Sequence, residues 1–198
     1  MKRHGRLIQD YKQRNFKNKV LNIENTTRCT LLCHACKRTT FLDLNGAKFP
    51  GKDLTPQQFK KIVTYFDKIT FGGQLSDPVF GIHFIKLLKI CREHNIKTTV
   101  LTAATGKKEN FYREAFETNP YARWTFGIDG PPKLSHKYRK NQDGEFLFEM
   151  MKLAKQICKV PITWQYIIFP WNEFYLKKCQ KKAEKLGVRM EIIISERD

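Results

Sequence analysis

Apolar residues fall along this chain in two alternating rhythms. Short runs rich in β-branched and aromatic residues, at 20–25, 69–71, 98–102, 124–128, 162–169 and 190–194, predict buried strands. Between them the spacing turns helical. Thr55, followed by Pro56 and Gln58, forms a capping box with proline at the first helical position, and Phe59, Ile62, Val63 and Phe66 then line one face. Phe80, Phe84, Leu87, Leu88 and Cys91 mark a second helix, residues 109–117 a third, and Phe146, Met150, Leu153 and Ile157 a fourth. A fifth opens near Asn172, read as its cap, and stops at Gly187. Residues 37–54 lack periodicity and contain Asn45-Gly46 and Pro50-Gly51, so a loop is expected there, and another over 130–142.

Strand–helix units repeated to a sixth strand predict an α/β fold with a parallel sheet and right-handed crossovers. Six strands are too few for a closed eight-stranded barrel, so the expectation is a (β/α)6 partial TIM barrel. Residues 1–198 are read as a single domain, with 1–18 a basic N-terminal extension. Ligands of parallel βα folds gather at the C-terminal ends of the strands. Cys29–Cys36 follows the first strand, Gly72-Gly73 the second and Asp129-Gly130 the fourth, which puts all three on that rim.

The formal charge of +18 adds an attraction for polyanions. The lysines are dispersed, however, as at Lys12, Lys60, Lys86, Lys107, Lys152 and Lys181, and no RRM-type signature accompanies them. Nucleic acid is compatible with the charge but indicated by no motif, and a solvated surface is the commoner meaning of such dispersion. The 41% of apolar residues can fill a core. No apolar run is long enough to cross a bilayer, and residues 1–18 lack the continuous apolar stretch of a signal peptide, so a cytoplasmic protein is expected.

The cysteines sharpen the picture. Cys29, Cys33 and Cys36 form a C-x3-C-x2-C run, while Cys91, Cys158 and Cys179 lie far apart on predicted helices. This is no disulfide framework, and thiolates at such density suit a soft metal or an iron–sulfur cluster. Three ligands where a structural site wants four leave a coordination position open, as reactive metal centres require. A zinc site completed by a histidine (His34, His83 or His94) is the alternative. Lys37 and Arg38, next in sequence, would offset an anionic cluster, meet an acidic electron donor or simply face solvent.

The cysteine spacing, its place after the first strand and the βα pattern resemble the radical SAM superfamily. Ile69-Thr-Phe-Gly72-Gly73-Gln74 is similar to that family's Gly-Gly-Glu motif, with an amide where a carboxylate is commoner. Trp124-Thr-Phe-Gly-Ile-Asp129-Gly130 resembles its Ser-Ile-Asp-Gly segment, with Gly127 in the serine position, and Arg139 stands where SPASM-type relatives keep an arginine. The resemblance implies a 4Fe–4S cluster held by Cys29, Cys33 and Cys36. It implies S-adenosylmethionine held near Gly72, Gly73, Gln74, Asp129 and Arg139, and reductive cleavage of it to a 5′-deoxyadenosyl radical that takes hydrogen from a substrate. It also implies a one-electron donor such as flavodoxin or ferredoxin, oxygen sensitivity, and no protein general base. The charge tilts the unidentified substrate toward an anionic one. The rival readings are a zinc-binding basic nucleic-acid module and a degenerate member that binds the cluster without turnover.

Overall fold

The structure, a computed structural model, describes residues 19–72 and 74–194. The N-terminal extension 1–18 and Gly73 lie outside the described residues. Six strands form one sheet: β1 (Val20–Ile23), β2 (Lys68–Phe71), β3 (Lys97–Thr102), β4 (Arg123–Gly127), β5 (Thr163–Ile168) and β6 (Arg189–Ile194). Their spatial order is their chain order, and every neighbouring pair is parallel. Sequential parallel order with right-handed crossovers puts the connecting helices on one side, the arrangement of an opened βα barrel. Among the described residues β1 and β6 are the two open edges.

The helices are α1 (Lys37–Asn45), α2 (Pro56–Val63), α3 (Phe84–Glu93), α4 (Glu109–Thr118), α5 (Gly144–Ile157) and α6 (Leu176–Leu186). The capping box of α2 forms as read: Gln58 N–H donates to Thr55 Oγ1 at 3.2 Å, and Thr55 N–H donates to Gln58 Oε1 at 3.0 Å. Such a cap is worth about 1 kcal/mol. The side chains of the apolar stripes meet the alternate residues of the strands in one core. There Trp124 packs edge-on against Phe116 at 4.8 Å and Phe84 at 6.0 Å, all three buried. Cys91 and Cys179 are buried in the same core.

Four local expectations are corrected. Residues 37–54 are not all loop, because α1 occupies Lys37–Asn45 and ends at Gly46 with φ 62°. This helix escaped the periodicity because it buries Arg38 and Thr39 while leaving Leu44 exposed, the reverse of an amphipathic pattern. The helix expected from Phe80 is split: Pro78–Phe80 forms a 3-10 turn and α3 begins at Phe84. Gly81 between them is extended and lies against Asn25, whose Nδ2 is 2.2 Å from where a Cβ would stand, which leaves no room for a side chain. Asn172 does not cap a helix by its side chain. It is buried and brackets the end of β5, its amide accepting from Phe169 N–H at 2.8 Å and donating to the Ile167 carbonyl at 2.9 Å. The loop expected over 130–142 likewise contains a 3-10 turn, Pro132–Lys137.

Candidate functional site

The C-terminal ends of the strands surround a cavity of about 330 Å³, a size suited to a small-molecule or cofactor site. Cys29, Cys33, Cys36, Gln74 and Arg139 line it, as do Leu101, Thr125, Gly127, Gln165 and Ile167 from β3, β4 and β5. The sequence motifs after strands one, two and four thus meet at one place.

The thiol segment leaves β1 and closes onto α1, with Cys36 in the N-cap position and its N–H donating to the Cys33 carbonyl at 3.1 Å. Neighbouring loops clamp it. Thr30 Oγ1 donates to the Thr105 carbonyl at 2.6 Å, Leu32 N–H to the Lys140 carbonyl at 3.1 Å, and Asn141 Nδ2 to the Thr30 carbonyl at 3.3 Å. Cys29 Sγ accepts from Leu31 N–H at 3.4 Å, and the Cys36 thiol lies 3.8 Å from the Gln74 carbonyl. Burial pushes the Cys29 thiol up to about 12, with Asp77 adding to the shift and the Leu31 N–H and Arg38 opposing it. Burial also raises Cys33, against the pull of Arg139 and Arg38. Both thiols therefore hold their protons until a cation displaces them.

Arg38 is buried, its Nη2 donating to the Leu31 carbonyl and its Nε without a hydrogen-bond partner, whereas Lys37 is exposed. The structure thereby separates two residues that the sequence left equivalent.

Across the cavity, Arg139 Nε stands 2.7 Å from Asp129 Oδ2, with the carboxylate fully buried. Neither atom is aligned for a hydrogen bond, so the attraction is chiefly one of charge. Asp129 Oδ1 accepts from Ile167 N–H at 2.9 Å, and Asp129 N–H donates to Ser135 Oγ at 2.9 Å. Gln142 ties this layer down, donating to the carbonyls of Ala103 at 2.6 Å and Gly127 at 2.8 Å. Asp129 does not line the cavity but holds the arginine that does. A Cβ at Gly127 would stand 2.8 Å from Arg139 Nη2. Gly127, the departure from the serine pattern, therefore makes room for the guanidinium. A Cβ at Gly72 would stand 2.6 Å from Leu101 Cδ1.

Two carboxylates escaped the sequence reading. Glu24 accepts from Gln74 N–H at 2.6 Å, from Leu75 N–H at 3.1 Å and from the Ser76 hydroxyl, and so holds the segment after Gly73. Asp77, buried beside Cys29, accepts from Thr102 Oγ1 at 2.9 Å, from Ala103 and Ala104 N–H at 2.7 Å each and from Val79 N–H at 3.3 Å. Burial raises its carboxyl despite these donors. Ser76-Asp77-Pro78 carried a legible turn signal; Glu24 carried none.

Among the described residues no histidine lines the cavity. Among the described residues no three His, Cys, Asp or Glu side chains converge on one metal ion. A zinc site needs its donors gathered at a point, whereas a multi-iron cluster takes one thiolate per iron and needs them spread around a rim. Three thiols facing one cavity beside two buried guanidinium groups fit the anionic cluster.

No family model and no curated protein matches the sequence. Solved structures match it in fold. Streptococcus suis SuiB bound to precursor peptide SuiA aligns with a TM-score of 0.73 at 14% identity, over 96% of this chain and 42% of that one. For anSMEcpe with bound AdoMet the TM-score is 0.66 at 18% identity, over 88% and 50%. For Escherichia coli coproporphyrinogen III oxidase (HemN), a radical SAM enzyme, it is 0.61 at 13% identity, over 96% and 47%. The chain thus has the core fold of radical SAM enzymes and spans about half the length of these relatives.

Proposed function

We propose that this chain, whose fold is that of the radical SAM core, is itself a radical SAM enzyme, with Cys29, Cys33 and Cys36 holding a 4Fe–4S cluster. The observation that carries the reading is the meeting of the three thiols on one cavity at the C-terminal rim of this sheet. When bound and reduced, the cluster supplies the electron that cleaves S-adenosylmethionine to a 5′-deoxyadenosyl radical, which takes a hydrogen atom from the substrate.

The rest of the work is binding and orientation. Arg38 and Arg139 offset the negative charge gathered at the thiolates. Arg139, held by Asp129, keeps further guanidinium N–H groups for the carboxylate of S-adenosylmethionine. Gly72 and Gly73 let the backbone approach the ligand, and Gln74 accepts from its ammonium group. Gln74 cannot neutralise that ammonium, so the contact is weaker than a carboxylate would make. Glu24 fixes the loop that presents Gln74. Residues 1–198 act as one core domain in the cytoplasm, reduced by a small one-electron donor such as flavodoxin or ferredoxin.

Anaerobic reconstitution of the full chain with iron and sulfide tests the reading. Charge-transfer absorption in the visible is expected, together with 5′-deoxyadenosine on reduction in the presence of S-adenosylmethionine. Both are lost when the three cysteines become serine. A colourless protein that takes up stoichiometric zinc and makes no deoxyadenosine overturns the proposal. An intact cluster without cleavage identifies a degenerate member.

A further inference from the structure

Parallel sheets are ordinarily covered on both faces, and the inside of a closed βα barrel is packed with branched apolar side chains. Here one face of the sheet is covered. Ile69, Phe71, Val100, Trp124, Phe126 and Trp164 point into the helix-side core and are fully buried. Residues alternate along a strand, so the intervening positions face the other way. The cavity belongs to that second face, since Leu101, Thr125, Gly127 and Gln165 line it.

Below the cavity, toward the N-terminal ends of the strands, this second face is mostly polar and cationic among the described residues. Lys68 pairs in register with Lys97 across β2 and β3, Thr70 with Thr99, and Thr99 with Arg123 across β3 and β4. Three cations on three adjacent strands thus gather at this end of the sheet, Lys68 and Lys97 side by side below Thr70 and Thr99, and Arg123 level with those two threonines. Lys97 and Arg123 are exposed and Lys68 is half-buried. Among the described residues none of the three joins an ion pair. The acids on this face do not serve them. Glu191 lies on β6 within 3.5 Å of Gln165, Asp129 is engaged by Arg139, and Glu24 is taken up by its loop. Residues 1–18 carry Lys2, Arg3, Arg6, Lys12, Arg14 and Lys17 against one acid, Asp10.

We infer that Lys68, Lys97 and Arg123 form an anion subsite for a small substrate bearing a phosphate group, whose reacting end lies in the cavity above. Resting on the proposed function for the identity of that reaction, this names the substrate class. A phosphate matches the triad better than a carboxylate. It brings close to two negative charges and three acceptor oxygens, against two lysine point charges, an arginine fork and hydroxyls able to donate. Four residues of strand separate Lys97 from Leu101 at the cavity, a rise of roughly 13 Å, which sets the length of the molecule.

Titration of the full chain with inorganic phosphate, followed by phosphorus NMR at constant chloride, tests the subsite without requiring a cluster. Saturable one-to-one binding is expected. The triple substitution K68Q/K97Q/R123Q should weaken it at least tenfold. An equal charge removal on the exposed face of α6, K177Q/K178Q/K181Q, should change it less than twofold. Absence of saturable binding, equal loss in the two variants, or acetate competing as well as phosphate overturns the inference. None of these results bears on deoxyadenosine formation, so the subsite and the proposed activity fail or stand separately.

Discussion

Replacing Asp129 by asparagine removes one charge from beneath the cavity and keeps an acceptor for the Ile167 N–H. What it leaves behind is the Arg139 guanidinium, whose side chain is only 12% exposed. Removing one partner of a buried ion pair costs roughly 3–5 kcal/mol, because the other charge stays desolvated. Arg139 touches the cavity and can draw some water, so the lower end of that range, about 3 kcal/mol, is expected. With a urea slope of about 2–3 kcal/mol per molar, the unfolding midpoint should fall by roughly 1–1.5 M. R139M should cost a similar amount by stranding the carboxylate. The double variant should cost less than the two summed, with a coupling of about 2 kcal/mol or more. Urea unfolding of the four proteins in the absence of metal measures this directly. A loss below about 1 kcal/mol for D129N, or additivity within about 0.5 kcal/mol, would refute the pairing. Arg139 would then face the cavity unassisted, and Asp129 would have no part in holding it.

G127S should displace Arg139, since even the Cβ meets its guanidinium, and should lower stability by about 1–3 kcal/mol in the same unfolding assay. Glu24 is exposed, so E24A should change stability by less than about 1 kcal/mol; by freeing the 74–76 segment it should weaken S-adenosylmethionine binding to the reconstituted protein severalfold, measured by equilibrium dialysis. In the metal-free protein the raised Cys29 thiol keeps its proton through neutral and mildly alkaline pH. Its carbamidomethylation, followed by mass spectrometry at pH 8, should run roughly 40-fold slower than that of an unshifted thiol, once the greater nucleophilicity of a basic thiolate is allowed for. The rate should rise about tenfold per pH unit below the thiol's pKa, as the thiolate fraction does. R38M should make the cluster's reduction potential more negative by tens of millivolts in an EPR-monitored titration, because a cation beside the thiolates favours the added electron.

The α/β class, the six strands and the parallel order were legible because each rests on a local rhythm repeated along the chain. Short β-branched runs alternate with stripes such as Phe146, Met150, Leu153 and Ile157, and parallel strands so connected permit few topologies. The rim position of Cys29, Cys33 and Cys36 followed from the same order, since the ends of successive parallel strands lie together, whereas Gln74 and Arg139 were picked out by the family resemblance. What stayed hidden depended on partners distant in sequence. Helix α1 shows no apolar stripe because its buried side is polar, set against the thiol loop. The stripe beginning at Phe80 is interrupted at Gly81, whose extended backbone packs against Asn25 from the end of β1.

Residue types and spacing alone determined the fold class and the thiol trio, because backbone periodicity and ligand chemistry are written locally; Gln74 and Gly127 stood out only against the pattern of the family that the motifs resemble. Only the tertiary structure decided which charges meet. It set Asp129 under Arg139, with Gly127 bare to admit the guanidinium, and Glu24 behind the Gln74 loop. It buried Arg38 while leaving Lys37 exposed, and gathered Lys68, Lys97 and Arg123 on the face of the sheet opposite the helix-side core. Electrostatic partnership falls with distance through space and rises with burial, and neither quantity exists until the chain has folded.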